Sequence, residues 1–413
     1  MPFLHERLPN GLDVVVETSE SAVSTSIGFF VMTGSRDESA EVWGASHFLE
    51  HMVFKGTPEI SGDDINRRFD AMGASVNAFT SEEDTVYYAS VLPEQQEEAF
   101  ELLARMMRPA LREADFDTEK LVILEEIRMY DDQPPFGADD RCRAAYFGGH
   151  PLARSVLGSV ESITALPVEA MRDYHRRRYA PGTMVLAASG AVDMPALLNS
   201  ARRLCGDWEP VPAAERLVPT PPRHAACAAP ERIVRPAAAL DYAVRMVAGP
   251  DERHPDRHAA RLLSLLLGDG SGSRLYWGLV DSGEAEQAAC IHQDFLDAGL
   301  FTTQLSCDAA DVESLMARID DIYAEATATG IGRDEFDRSR NKLASRVVLG
   351  GEKPRRRLFE VGLDWSHSRT YRSVADNLRI VESLTLDDVH RVLREWPLDA
   401  PAATVIAGPV TEA

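Results

Sequence analysis

A proline-rich segment near the middle of the chain is the feature that most limits how this sequence can fold. Seven prolines fall there among residues with little hydrophobic periodicity: Pro210, Pro212, Pro219, Pro221, Pro222, Pro230 and Pro236. Such a composition is typical of a linker, because proline donates no amide hydrogen to a helix or a sheet. A chain of 413 residues is also too long for one hydrophobic core. The sequence therefore predicts a first domain over 1–209, a linker over 210–236 and a second domain over 237–413.

The two halves show a similar alternation of apolar strands and amphipathic helices. In the first half we predict a helix at about 45–54, a strand hairpin at 74–80 and 85–92, and a long helix at 118–130 capped by Asp117 or Thr118. In the second half, strands and helices follow in a similar order, including a helix that starts near Ser273. We predict an α+β protein with two structurally similar domains, each an antiparallel-rich sheet packed with helices.

The string HFLEH at residues 47–51 carries the strongest chemical signal. His47 and His51 are four residues apart, so on a helix both imidazoles lie on one face and can reach one metal ion. Glu50 lies close to such a metal without having to bind it. Two nitrogen ligands, an open position for water and an adjacent base are the arrangement of a zinc hydrolase, and this residue order is the inverzincin signature. The alternative is a chance match, because a histidine on a helix is usually an ordinary surface or core residue.

A catalytic zinc usually takes three protein ligands, so the motif needs a further one. The long helix predicted downstream offers Glu119 and Glu126, which are seven residues apart and therefore share a helix face. Val122 and Ile123 flank that face, and a carboxylate on an apolar face is costly unless a metal or a partner satisfies it. Glu125 projects about a quarter turn away and fits a solvated position. On spacing alone, an exposed charged face remains an equal alternative for all three carboxylates.

Charge and cysteine usage limit the class of protein. The net charge of −23 disfavours nucleic acid and anionic membranes as partners, whereas a basic peptide would be attracted. No run of eighteen apolar residues occurs, so no transmembrane helix is expected. The N-terminus lacks a secretory signal, and no CxxC pair occurs among the five cysteines, which are Cys142, Cys205, Cys227, Cys290 and Cys307. We therefore expect free thiols and a cytoplasmic protein.

Six segments give the chain a resemblance to a known family. They are LPNGL at 8–12, GASHFLEHMVFKGT at 44–57, VNAFT at 76–80, the glutamates within 119–126, HPL at 150–152 and YAPGTM at 179–184. Together they resemble the pitrilysin, insulysin and mitochondrial processing peptidase family of zinc endopeptidases. The resemblance covers nearly the whole chain and is strongest to the short bacterial members. It implies that the chain forms one half of a clamshell dimer and hydrolyses short or unfolded peptides.

The resemblance also implies a role for each matching site residue. His47, His51 and Glu126 match the zinc ligands, with one Zn2+ per chain, which selects Glu126 over its neighbour. Glu50 matches the general base that activates a zinc-bound water. Glu119 matches a glutamate that supports the site without binding the metal.

A substrate strand is implied in the same way. Asn77, Ala78, Phe79 and Thr80 match a strand at a sheet edge, where a substrate peptide would add as an extra strand. Its alternative is a plain structural edge strand without a role in binding.

The match fails in the second half of the chain. Active family members carry an arginine there and a tyrosine seven residues later, and these two residues hold the substrate. The corresponding positions here are Val280 and Gln287, which cannot do so, although Arg274 or Tyr276 are possible substitutes. We therefore expect a heterodimer in which this chain is the zinc subunit and a homologous partner supplies the arginine and tyrosine, with a homodimer as the alternative.

One other function and one other metal site are compatible with parts of the sequence. A non-catalytic assembly or binding subunit of the same family is disfavoured, because relatives of that kind lose the zinc motif and this chain keeps it. His254 and His258 resemble a second metal pair, but Pro255 lies at a predicted helix start and no acid is placed to act as a base. We expect a surface or capping role for this pair.

Overall fold

The computed structural model describes residues 2–132, 136–212 and 230–409. Within these residues the strands form two sheets: β1 (Phe3–Arg7), β2 (Asp13–Thr18), β3 (Thr25–Val31), β4 (Ser75–Thr80), β5 (Thr85–Val91), β6 (Met184–Gly190), β7 (Glu231–Val234), β8 (Asp241–Gly249), β9 (Gln287–Asp294), β10 (Gly299–Cys307) and β11 (Ala403–Gly408).

The helices of the described residues follow the strands in both halves. They are α1 (Ala45–Val53), α2 (Gly62–Ala71), α3 (Gln96–Met106), α4 (Glu113–Asp132), α5 (Phe136–Phe147), α6 (Val160–Ala165), α7 (Val168–Arg178), α8 (Met194–Cys205), α9 (Arg257–Gly268), α10 (Val312–Thr329), α11 (Arg333–Gly351), α12 (Pro354–Ser368), α13 (Val374–Ser383) and α14 (Leu386–Glu395). No helix in the described part of the chain is long and apolar enough to cross a membrane.

The two sheets share one plan. In the first, the strand order is β1-β2-β6-β3-β5-β4, and in the second it is β7-β11-β8-β10-β9. Each has one parallel pair, β2 with β6 and β7 with β11, and its other pairs are antiparallel. Each also ends in a hairpin whose outer strand, β4 or β9, lies at an edge. These observations confirm the predicted α+β class with two similar, antiparallel-rich sheets.

The described residues pack into two compact units that interleave along the chain. The first contains the described residues of 1–127, 155–218 and 348–375, and the second contains those of 128–154, 219–347 and 376–413. Residues 348–375 pack with the first unit although they are far from the rest of it in sequence. Most of the proposed linker lies outside the described residues, so the domain boundaries at 209 and 236 stay predictions.

Helix α12, from late in the chain, covers one face of the first sheet. Its Leu358 and Val361 are buried against Phe30 and Val86, and each contributes roughly 1.5–3 kcal/mol by leaving water. Beside them, the buried Arg357 donates two hydrogen bonds to the buried Glu17, from Nε to Oε1 at 2.8 Å and from Nη2 to Oε2 at 2.6 Å. In the second unit, α5 covers β8 and β11 in the same way.

One helix prediction needs correction, and a second helix is shorter than its neighbours. The long helix begins at Glu113 rather than near Thr118. Thr118 lies inside the helix, where its hydroxyl donates to the carbonyl of Ala114 and caps nothing. The helix expected from about Ser273 is present but short: Arg274 and Leu275 are α-helical, and Tyr276–Val280 continue as a π-helical turn. Gly278 within the turn disfavours a longer helix.

Candidate metal centre

The motif helix α1 has a specific anchor at its N-terminus. The helix starts after Gly44, whose φ of +90° is strained for other residues. The buried carboxylate of Glu38 accepts hydrogen bonds of 2.7 Å from the amides of Gly44 and Ser46. These bonds satisfy two backbone donors, and the negative charge is favourable at the positive end of the helix. The positions of His47 and His51 are thereby fixed relative to the sheet.

Helix α4 brings its two glutamates to the histidines of α1. Oε2 of Glu126 lies 3.7 Å from Nε2 of His47 and 3.5 Å from Nε2 of His51. Oε1 of Glu119 lies 2.9 Å from Nδ1 of His51. Glu125 is exposed, as its position on the helix predicts. Of the two apolar neighbours, Ile123 is buried but Val122 is 48% exposed, so only one of them lines the inner face.

The spacing of the three candidate ligand atoms fits a metal ion. One ligand atom from each of His47, His51 and Glu126 lies within 4.8 Å of the others. Ligands held at about 2.0–2.2 Å around a tetrahedral ion lie roughly 3.3–3.6 Å apart. The measured separations of 3.5 and 3.7 Å are close to this value and long for hydrogen bonds. Two imidazoles and one carboxylate are also a ligand set of catalytic zinc, so the residues fit the group.

His51 belongs to a chain of polar contacts that continues to a lysine. Its Nδ1 donates to Glu119, whose other oxygen lies 2.5 Å from Nζ of Lys55. Burial opposes the charge on His51, but Glu119, Glu126 and Glu50 outweigh it and raise the pKa of His51. Burial likewise opposes the charge on Glu119, yet His51 and Lys55 lower its pKa. A carboxylate behind an imidazole fixes the ring and its tautomer, which leaves Nε2 for the metal.

His47 is held differently. It is 8% exposed, and burial together with the neighbouring charge of His51 lowers the pKa of His47 to about 3. The ring is therefore neutral at pH 7, and Nε2 keeps a lone pair for a metal. Its Nδ1 is buried and has no hydrogen-bond partner within the described residues. Burial thus favours the neutral, metal-binding form, although one buried polar atom goes unsatisfied.

Glu50 lies on α1 next to the outermost residue of β4. The hydroxyl of Thr80 donates a 2.6 Å hydrogen bond to Oε2 of Glu50. Burial raises the pKa of Glu50, although this hydrogen bond and the charge of His51 oppose the shift. A carboxylate with a raised pKa is suited to take up a proton near neutral pH.

Strand β4 places the other predicted substrate-binding residues at the open edge of the first sheet. Within the described residues, β4 pairs with β5 and with no other strand. Asn77 and Phe79 are exposed, whereas Ala78 and Thr80 are half-buried. The amide of Ala78 donates to Oδ1 of its neighbour Asn77 at 2.9 Å. Strand β4 is therefore an edge strand within the described residues, and its role in substrate binding stays a prediction.

The second unit offers no replacement for the missing arginine and tyrosine at the positions that the sequence indicated. Val280 ends the π-helical turn and packs on the apolar core, and Gln287 is the exposed first residue of β9. Arg274 is engaged elsewhere, with a two-point ion pair to Glu335 at 2.8 and 3.0 Å and a bond to the carbonyl of Gly330.

A second group of potential metal ligands in the described residues consists of His254, Asp256 and Glu395. Arg391 already binds both carboxylate oxygens of Asp256, at 2.9 and 2.5 Å. Nδ1 of His254 accepts the amide hydrogen of Asp256, which is a capping role. A guanidinium therefore neutralises the acid that a metal would need.

Three contacts of the site were missed by sequence reasoning. Lys55 follows His51 by four residues, and that spacing was a usable signal for a charge beside Glu119. Glu38 has no local signal, because it reaches α1 from a separate turn of the chain. The bond from Thr80 to Glu50 joins residues 30 apart and follows only from the tertiary structure.

A two-sheet α+β protein with an H-x-x-E-H helix and a downstream glutamate is a protein of the zinc metallopeptidase class. A sequence model of the Insulinase family, peptidase family M16, matches residues 13–160, and one of the peptidase M16 inactive domain matches residues 165–343. The chain belongs to peptidase family M16, which confirms the resemblance to the pitrilysin family.

Individual relatives agree with this assignment. A Mycobacterium tuberculosis protein named as an uncharacterized zinc protease is 34% identical over 397 residues, covering 94% of this chain and 89% of the relative. An Arabidopsis thaliana protein named as a probable mitochondrial-processing peptidase subunit beta is 27% identical, covering 98% and 78%. The crystal structure of a protease from Helicobacter pylori has the same fold, with a TM-score of 0.91, 22% identity and 99% of each chain covered.

Proposed function

We propose that this chain is a zinc-dependent endopeptidase of short or unfolded peptides, with Glu50 as the general base. The observation that carries the proposal is the convergence of Nε2 of His47, Nε2 of His51 and a carboxylate oxygen of Glu126 at the spacing of zinc ligands. Family membership supports a metallopeptidase. The alternative of a non-catalytic binding subunit has no comparable observation in its favour.

His47, His51 and Glu126 would hold the zinc ion. When bound, zinc polarises a carbonyl oxygen and lowers the pKa of water to about 7. His47 is ready to bind, because its pKa of about 3 keeps it neutral. His51 must first give up the proton that Glu119 and Glu126 stabilise, so metal binding releases protons.

Glu50 carries the proton transfers of the reaction. The carboxylate takes the proton of the attacking water and then donates it to the nitrogen of the leaving amine. Burial, which raises its pKa, suits it to both steps. Because Thr80 occupies Oε2, the other oxygen, Oε1, is the one available for the water.

The open edge of β4 supplies the substrate-binding surface in this proposal. A peptide added as a strand gains main-chain hydrogen bonds that depend little on its sequence. Such a peptide would displace Oδ1 of Asn77 from the amide of Ala78. Its scissile bond would lie near Thr80, the end of the strand that contacts Glu50.

The lack of the arginine and tyrosine leads us to propose a homologous partner subunit that supplies them. Val280 and Gln287 cannot hold a peptide carbonyl in the way those residues do, and Arg274 is committed to Glu335. Full peptidase activity from the purified chain alone would contradict this part of the proposal.

The decisive experiment compares the wild type with Glu50→Gln, both loaded with zinc and combined with any partner needed. We expect Glu50→Gln to lose at least roughly 100-fold in kcat, because a general base contributes about 10²–10⁴-fold, and to retain one zinc per chain. Glu125→Gln, an exposed acid on α4, is the matched control and should behave as the wild type. A Glu50→Gln variant with wild-type turnover would refute the proposal.

A further inference from the structure

The hydrogen bond between Thr80 and Glu50 supports an inference that rests on the proposed function and goes beyond it. Thr80 is the last residue of β4, and its backbone belongs to the edge strand. Its side chain points away from that edge toward α1 and donates to Oε2 of Glu50 at 2.6 Å. One residue therefore belongs both to the proposed substrate strand and to the surroundings of the proposed base.

The strand geometry separates the two roles of this residue. Side chains alternate along a strand, so Ala78 and Thr80 lie on one face of β4, and Asn77 and Phe79 lie on the other. Phe79 packs toward Phe359 of α12, with ring centroids 5.7 Å apart. The Thr80 hydroxyl is thus directed at the base, while the strand's main chain remains for the peptide.

Thr80 is the only hydrogen-bond donor that reaches the Glu50 carboxylate among the described residues. A glutamate has three side-chain torsions, so a single short hydrogen bond restricts where its free oxygen points. The threonine itself is stiff, because its branched Cβ limits χ1 on a strand. A rigid donor on a sheet is well placed to hold a mobile carboxylate away from the metal ligands.

We infer that Thr80 is a positioning residue for Glu50: its hydroxyl aligns the base, and its backbone ties that alignment to the strand on which the peptide docks. The side chain then contributes to turnover and not to peptide affinity. A residue that merely contacted substrate through its side chain would contribute to affinity instead.

The test uses Thr80→Val, which keeps the branched shape and removes the donor, and Thr80→Ser, which keeps the donor. We expect Thr80→Val to lower kcat roughly 10- to 100-fold, as loss of a hydrogen bond to a charged group predicts, with KM within about twofold of the wild type. Thr80→Ser should restore kcat to within about threefold. Both variants should bind one zinc per chain.

A second measurement does not depend on turnover. In metal-free protein, the Kd of a fluorescent peptide measured by anisotropy should be unchanged by Thr80→Val. Thr404→Val, a half-buried strand threonine in β11, is the matched control and should leave kcat unaltered.

The outcomes separate this inference from the proposed function. A wild type that binds zinc and hydrolyses no peptide, even when it is combined with the partner subunit, overturns both. If the wild type is active, two results would overturn the positioning role alone. One is a kcat of Thr80→Val equal to that of the wild type. The other is a raised peptide Kd in Thr80→Val that Thr80→Ser does not restore.

Discussion

Helices α1 and α9 occupy equivalent places in the two units, yet they differ in what they bury. Each follows a central strand, β3 or β8, and each contacts the outer strand of the edge hairpin, β4 or β9. Helix α9 fills its position with aliphatic side chains: Ala259, Ala260, Leu262, Leu263, Leu266 and Leu267. Helix α1 places His47 there nearly buried, with Glu50 and His51 half-buried beside it.

This difference shows that the fold itself does not require polar groups at the position. Buried histidines and carboxylates cost free energy unless partners satisfy them, and leucines do not. Both helices bury apolar side chains, which in α1 are Ala45, Phe48, Leu49, Met52 and Val53, but α1 also carries the buried His47 and the half-buried Glu50 and His51. All three ligands of the proposed zinc site, His47, His51 and Glu126, accordingly belong to the first unit.

The comparison is tested most strongly by removing one histidine from each unit. His51→Ala should abolish stoichiometric zinc binding. We expect the zinc affinity to fall by more than roughly 100-fold, because removing a ligand costs more than removing a residue that only hydrogen-bonds to a ligand. His254→Ala removes a histidine of the second potential cluster and should leave the zinc content unchanged, because Arg391 already neutralises Asp256. Metal analysis after dialysis measures both. Zinc retained by His51→Ala would break the assignment of the metal site to α1.

The contribution of α12 to the first unit is tested through its buried arginine. Arg357→Ala leaves the buried carboxylate of Glu17 without its cation, and we expect a loss of about 3–5 kcal/mol in the free energy of unfolding. The adjacent Arg356 is 51% exposed and pairs with Glu360 within the same helix. Arg356→Ala should therefore change stability by less than about 0.5 kcal/mol. Equal effects of the two variants in urea denaturation would show that α12 does not stabilise the first unit in this way.

The contrast in burial predicts opposite effects of two substitutions on metal-free protein. Leu263→Ala in α9 should destabilise by about 2–5 kcal/mol, because it leaves a cavity in the second unit's core. His47→Leu in α1 should stabilise by roughly 1 kcal/mol, because Nδ1 of His47 is buried without a partner. Zinc binding should be lost only in His47→Leu. A destabilising His47→Leu would indicate that the ring is satisfied in the metal-free protein.

The sequence was sufficient for features with a regular period or a short motif. The HFLEH string lies on a helix as predicted, and the seven-residue spacing of Glu119 and Glu126 does bring both carboxylates to the histidines. The hairpin of β4 and β5 was predicted from two strand-like runs split by a charged turn at 81–84, and the two strands pair as predicted. In each case neighbouring residues in the chain contain the information.

Features that depend on distant residues were not predictable. The packing of α12 on the first sheet joins Arg357 to Glu17 across 340 positions, and neither residue has a local signal. Glu38 caps α1 from a separate turn, and Thr118 resembles a helix cap although the helix begins five residues earlier. These outcomes depend on which surfaces meet, which a single sequence does not specify.

The smallest expected effect distinguishes the two histidines of α1 by pH. Burial lowers the pKa of His47 to about 3, so between pH 7.5 and 5.5 the unfolded chain binds a proton there that the folded protein does not. Metal-free wild type should therefore lose roughly 1 kcal/mol of stability relative to His47→Leu as the pH falls over this range.

Neighbouring carboxylates raise the pKa of His51, so the folded protein binds that proton more tightly. Relative to His51→Leu, the wild type should instead gain stability as the pH falls, and urea denaturation at the two pH values measures both differences. The two stability differences should change with pH in opposite directions. If they changed in the same direction, it would be wrong that burial keeps His47 neutral while carboxylates stabilise the proton on His51.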